Sequence, residues 1–178
     1  MPVQAMRVPL PKLEPEAVEQ CCFSMEKRGQ IGGNAQIPNA ALQPLSFLVG
    51  RWRTAGRHPL VPGQDLSGVT SFAWTEGGAF LMMRSEVHAA EFPDGVALIG
   101  SDIGAGKMTM MYFDERGVSR IMDVTPGDGT VTWRHDNPEF AQCLTIAADG
   151  DRLVSTGRMS EKGGPWKEDL PQVFEKMD

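Results

Sequence analysis

The sequence predicts an all-β protein: a closed, antiparallel, up-and-down barrel of about ten strands, preceded by one N-terminal helix. Three observations carry this expectation. After Gly50, strand-like segments of about 7 to 10 residues alternate with turn signals, and none has helical periodicity. The punctuation between them, "EGG", "FPDG", "GAG", "DERG", "PGDG", "ADGD" and "EKGG", is short and supplies a glycine where a positive φ is needed. Such short links join antiparallel neighbours, because parallel strands need long crossovers. A meander of about ten strands exceeds what an open sheet usually tolerates, and closure removes its edges.

In chain order, residues 1–13 carry three prolines and read as extended. Residues 14–30, "EPEAVEQCCFSMEKRGQ", read as one helix. Pro15 suits its first turn, acids cluster early, Lys27 and Arg28 fall late, and Val18, Cys21, Cys22 and Met25 follow the 3.6 period. "GQIGGNAQIPNAALQP" reads as a linker, and a short helical turn from Leu42 to Val49 delivers the chain to Gly50. Strands are expected near 50–58, 67–75, 79–88, 95–102, 107–114, 118–125, 130–136, 139–147, 152–160 and 168–177. The organisation is therefore an N-terminal extension over 1–41, one helix and a linker, followed by a barrel domain over 42–178.

Composition narrows the function classes. The 178 residues, 41% hydrophobic and 22% charged, suffice for one globular domain with a sizeable core. A formal net charge of −6 lacks the basic footprint of a nucleic-acid or anionic-membrane binder. No run approaches the roughly 20 apolar residues of a membrane helix, and prolines and charges interrupt the N-terminus where a signal peptide needs an apolar segment. The expectation is a cytoplasmic protein with no membrane insertion. Three cysteines, Cys21, Cys22 and Cys143, form no disulfide framework and read as small buried hydrophobes.

A short helix followed by Gly50-Arg51-Trp52 resembles the first-strand signature of the calycin superfamily: lipocalins, fatty-acid-binding proteins and nitrobindin-like barrels. "IGSDIGAGKMTMMYFDERGVSRIMDV", "WRHDNPEFAQ" and "PWKEDLPQVFEKMD" resemble a bacterial lipocalin-like family of unknown function, over roughly residues 42 to 178. The resemblance implies a barrel with an interior cavity, in which Trp52 packs across the closed end beneath a nearby arginine. Arg51 and Arg53 then point outward, as the period of two requires. Fatty-acid-binding proteins often hold a ligand carboxylate with an Arg-x-Tyr pair in the last strand. Gln172 and Phe174 stand at the matching positions here, so that site does not carry over.

The chemistry-bearing residues give no enzymatic constellation. "SDIGAGKM" has Ser101 where a phosphate loop needs its first glycine and Met108 where it needs Ser or Thr, and it reads as a hairpin turn. His58, His88 and His135 are widely separated, with no metal-ligand spacing among them. His135, on a face with Val131 and Trp133, is the candidate axial ligand if the barrel holds haem, the alternative that a nitrobindin-like relationship implies. His88 falls on the wet face with Arg84 and Glu86. A cofactor-free enzyme using the cavity is a second alternative.

One polar handle follows from strand pairing. "DERG", residues 114 to 117, suits a type I turn closed by Gly117, which sets Asp114 opposite Val118 and Tyr112 opposite Arg120. One face then carries Met108, Met110, Tyr112, Arg120, Met122 and Val124; the other carries Thr109, Met111, Phe113, Ser119, Ile121 and Asp123. The first face is methionine-rich and is assigned to the interior. The expected ligand is a small apolar or weakly acidic molecule held by Met108, Met110, Met122 and Trp133, with Arg120 and Tyr112 as its polar anchor. No cofactor is required by this reading, and homodimerisation stays open.

Overall fold

The computed structural model describes residues 37–59, 61–102 and 105–178. The expected helix over 14–30, with Cys21 and Cys22, lies outside the described residues.

A 3₁₀ helix, Ala40–Leu48, opens the described chain. Asn39 caps it by accepting from the Ala41 amide at 3.1 Å, and its side-chain amide donates to Ser101 Oγ at 2.8 Å. A three-residue turn puts every third side chain on one side. Leu42, Leu45 and Leu48 share that spacing, and all three are fully buried. Ten strands follow: β1 Gly50–Arg57, β2 Asp65–Thr75, β3 Phe80–Val87, β4 Gly95–Asp102, β5 Lys107–Asp114, β6 Ser119–Gly127, β7 Thr130–His135, β8 Phe140–Asp149, β9 Arg152–Glu161 and β10 Lys167–Lys176. Each pairs antiparallel with the next, and β1 also pairs with β10, so the sheet closes into a barrel. No helix among the described residues is long and apolar enough to cross a membrane.

The β5–β6 hairpin has the register that its turn residues require. Gly117, at φ 79°, donates its N–H to the Asp114 carbonyl at 2.9 Å, and the Asp114 amide donates to the Val118 carbonyl at 3.0 Å. Tyr112 accordingly stands opposite Arg120, and Met110 opposite Met122.

One end of the barrel is plugged. Trp52, buried between exposed Arg51 and Arg53, donates its indole N–H to the Leu48 carbonyl at 2.8 Å. The indole thereby ties β1 to the 3₁₀ helix. The cation over the ring is Lys176 of β10, 5.7 Å from its centroid, and not the expected arginine. Pairing explains the substitution, because Lys176 is the residue directly opposite Trp52.

Alternation breaks in β10. The pairing with β9 shifts by one residue between Asp169 and Gln172, a bulge that contains Leu170, at φ 31°, and Pro171. Both neighbouring strands carry glycine where the bulge presses on them. A Cβ at Gly157 would stand 2.3 Å from the Asp169 carbonyl oxygen, and one at Gly56 2.5 Å from that of Pro171. The bulge changes which face the residues before it occupy, and it turns Asp169 into the barrel.

Candidate functional site: a cavity inside the barrel

Away from the plugged end the strands enclose a cavity of about 550 Å³, within the range of small-molecule sites. Its apolar wall includes Phe72, Met83, Met110, Met122, Trp133 and Ile146, with Met159 and Phe174 from the last two strands. Several polar groups interrupt that wall, Thr70, Ser85, Glu91, Glu161 and Gln172 among them, and three further ones differ in their bonding.

The first joins two strands, β10 and β8, to the segment just after β1. Asp169, its side chain only 3% exposed, meets His58 Nε2 at 3.1 Å and accepts from Gln142 Nε2 at 2.6 Å. Phe92 tilts against the His58 imidazole, with ring centroids 4.9 Å apart. A carboxylate this buried must be bonded on both oxygens to offset its desolvation, and it is.

The second lies at the end of β5. Asp114, with a fully buried side chain, accepts from Arg116 Nη2 at 2.8 Å, from Arg116 Nε at 3.2 Å and from the Arg116 amide at 3.0 Å. The hydroxyl of Tyr112 lies 3.4 Å from its second oxygen. Gly95 leaves space for the tyrosine, since a Cβ there would come within 2.7 Å of the ring. The Arg116 guanidinium holds the Asp114 carboxyl below the ordinary carboxylate range. Burial raises the Tyr112 phenol, and the Asp114 charge adds to that rise.

A pH dependence follows. A carboxyl whose pKa is depressed by folding contributes stability that is present above its unfolded value and lost as pH falls through its folded value. Urea midpoints should therefore fall on acidification below the ordinary carboxylate range, and Asp114→Asn should flatten that acid limb. An unchanged acid limb in the variant would show that the Asp114–Arg116 bonds contribute nothing to it.

The third is Arg120 on β6. Its guanidinium lies over the Phe140 ring, 4.6 Å from the centroid, a cation–π contact. Among the described residues it has no ion pair and no hydrogen bond. It differs in this from Arg116, whose charge is already matched. Around the closed barrel β6 is five strands from β1 and four from β10.

Of the residues singled out by sequence, Arg120, Tyr112, Met110, Met122 and Trp133 line this cavity. Met108 does not; it packs into the core opposite Val124, nearer the plugged end, because it lies four residues along β5 from Tyr112. His135 does not line it either. It ends β7, where its Nδ1 lies 2.9 Å from the Ile121 carbonyl oxygen, and His58 takes the place at the cavity wall. Sequence reasoning missed Asp169, Gln142, Phe140 and Phe92. Pro171 was the available signal: a proline inside a central strand marks a bulge, and a bulge inverts the alternation before it. Gln172 and Phe174 do line the cavity, so the last strand presents an amide and a phenyl ring there.

No family model matches the sequence, and no curated protein matches it. Among solved structures, the chain is similar to a protein described as "Rv2717c from M. tuberculosis", with a TM-score of 0.58 and 19% identity. The alignment covers 78% of this chain and 98% of that one. At this identity the likeness supports the barrel fold alone.

Proposed function

We propose that the protein is a lipocalin-like binding module of the calycin kind, holding a small, largely apolar molecule with an acidic group inside the barrel. The apolar body fills the space among Met110, Met122 and Trp133, and the acidic group meets Arg120, with Tyr112 beside it. The observation that carries this reading is the Arg120 side chain in the cavity wall, stacked on Phe140 and without a carboxylate. A guanidinium in a largely apolar site is costly to leave unmatched, and a ligand anion would supply the missing partner. The methionines suit a ligand of irregular shape.

The test is a fluorescence titration of the full chain and Arg120→Met with anilinonaphthalene sulfonate, an apolar anion. Loss of a charged hydrogen bond should weaken binding by about 10- to 100-fold, or roughly 1.5–3 kcal/mol, with the melting temperature nearly unchanged. Equal affinities for the two proteins would refute the anchor. A lower melting temperature with unaltered affinity would make Arg120 a structural residue instead.

A further inference from the structure

The outward face of β3 to β6 has an apolar centre. Met82 stands opposite Leu98, Leu98 opposite Met111, and Met111 opposite Ile121, an unbroken row across four neighbouring strands. All four are exposed, Met111 at 47% and Ile121 at 64%. A second exposed pair, Val96 opposite Phe113, flanks the row on one side, and Phe80 flanks it on the other. Four strands about 4.8 Å apart, each contributing two or three outward residues, make an apolar field on the order of 400 Å². Its polar surround includes Thr109, Ser119, Arg84 and Asp123. An apolar, methionine- and phenylalanine-rich centre with a polar rim is the composition of a protein interface.

The charges choose the occupant. Arg84, opposite Val96, marks the corner on β3, and Asp123, opposite Thr109, marks the diagonally opposite corner on β6. Arg84 also bonds Glu86 at 3.1 Å, whereas exposed Asp123 has no ion pair among the described residues. A two-fold axis lying in the interface, perpendicular to that diagonal, exchanges the two corners. It brings Arg84 of each copy to Asp123 of the other while the apolar rows cover one another. A C2 interface uses one self-complementary patch in this way. We infer that the β3–β6 outer face is a homodimer interface, with the Met82–Leu98–Met111–Ile121 row at its centre and reciprocal Arg84–Asp123 pairs at its corners. With its rim, the field can reach the roughly 800 Å² per partner that a specific interface needs.

Sedimentation of the full chain over a range of concentrations tests this. The expected species is a dimer of the 19.4 kDa chain. A charge introduced at the exposed centre, Met111→Lys or Ile121→Lys, should raise the dissociation constant by about 100-fold and leave the circular dichroism of the barrel unchanged. Arg84→Glu or Asp123→Lys alone should weaken the dimer about 10-fold, and the two together should restore it. Peroxide oxidation of Met82 and Met111 should slow as concentration rises. A monomer at every concentration would overturn the inference, as would a dimer indifferent to Met111→Lys or a charge-swapped pair weaker than either single variant. Protection of both methionines in a monomer at all dilutions would also overturn it, and would assign the face to another occupant.

Discussion

Replacing Trp52 with alanine is expected to destabilise the barrel by about 3–5 kcal/mol, the usual cost of deleting a large buried aromatic. Three losses combine. The indole is buried at the plugged end, where it shares a cluster with Leu42, Leu45 and Leu48, so its removal leaves a void the closed sheet cannot collapse around. The Leu48 carbonyl loses its 2.8 Å donor in a buried setting. Lys176 loses the aromatic face beneath its ammonium. Trp52→Phe should fall between wild type and alanine, because it keeps most of the volume and loses the N–H. Urea unfolding of the three proteins checks the order. An alanine variant within 1 kcal/mol of wild type would mean that the 3₁₀ helix is held without this tie.

Asp169→Ala should cost about 2–4 kcal/mol, because it leaves both Gln142 and His58 without the acceptor they now share. The carboxylate links β10 to β8 and to the segment just after β1, and it sits at the bulge where β10 departs from regular pairing. Asp169→Asn should cost less, since the amide oxygen still accepts from Gln142. The same variants should loosen the cavity wall around Phe92, which rests against His58. Equal stabilities for the alanine and asparagine forms would show that hydrogen bonding at this site is not what holds the bulge in place.

How much could be read from the sequence depended on whether a feature was local. The hairpin register was legible because "DERG" specifies its own turn, and a fixed turn determines each cross-strand pair above it. From that one register, Met110, Tyr112, Arg120 and Met122 could be placed on the inward face. The side chain over Trp52 was not legible, because β1 and β10 lie at opposite ends of the chain and nothing local sets their pairing. Met108 shares the inward face but packs against the core outside the cavity lining, since alternation tells a strand's two sides apart but not how far a plug rises inside it. His135 followed the alternation of β7 but fell at its last residue. Asp169 was hidden by a parity change that only Pro171 announced. The apolar outer row was visible as Met111, Phe113 and Ile121 on one hairpin. It became a surface only when β3 and β4 were set beside that hairpin.

The most direct measurement of the proposed binding site is calorimetric titration of an apolar carboxylic acid and its primary amide, each against wild type and Arg120→Met. An Arg120 anchor requires the acid to bind wild type more tightly than the amide, and that preference to disappear in the variant. The coupling across the four titrations should be about 1.5–3 kcal/mol, the scale of one charged hydrogen bond. Equal binding of acid and amide to wild type, or a preference that survives Arg120→Met, would contradict it.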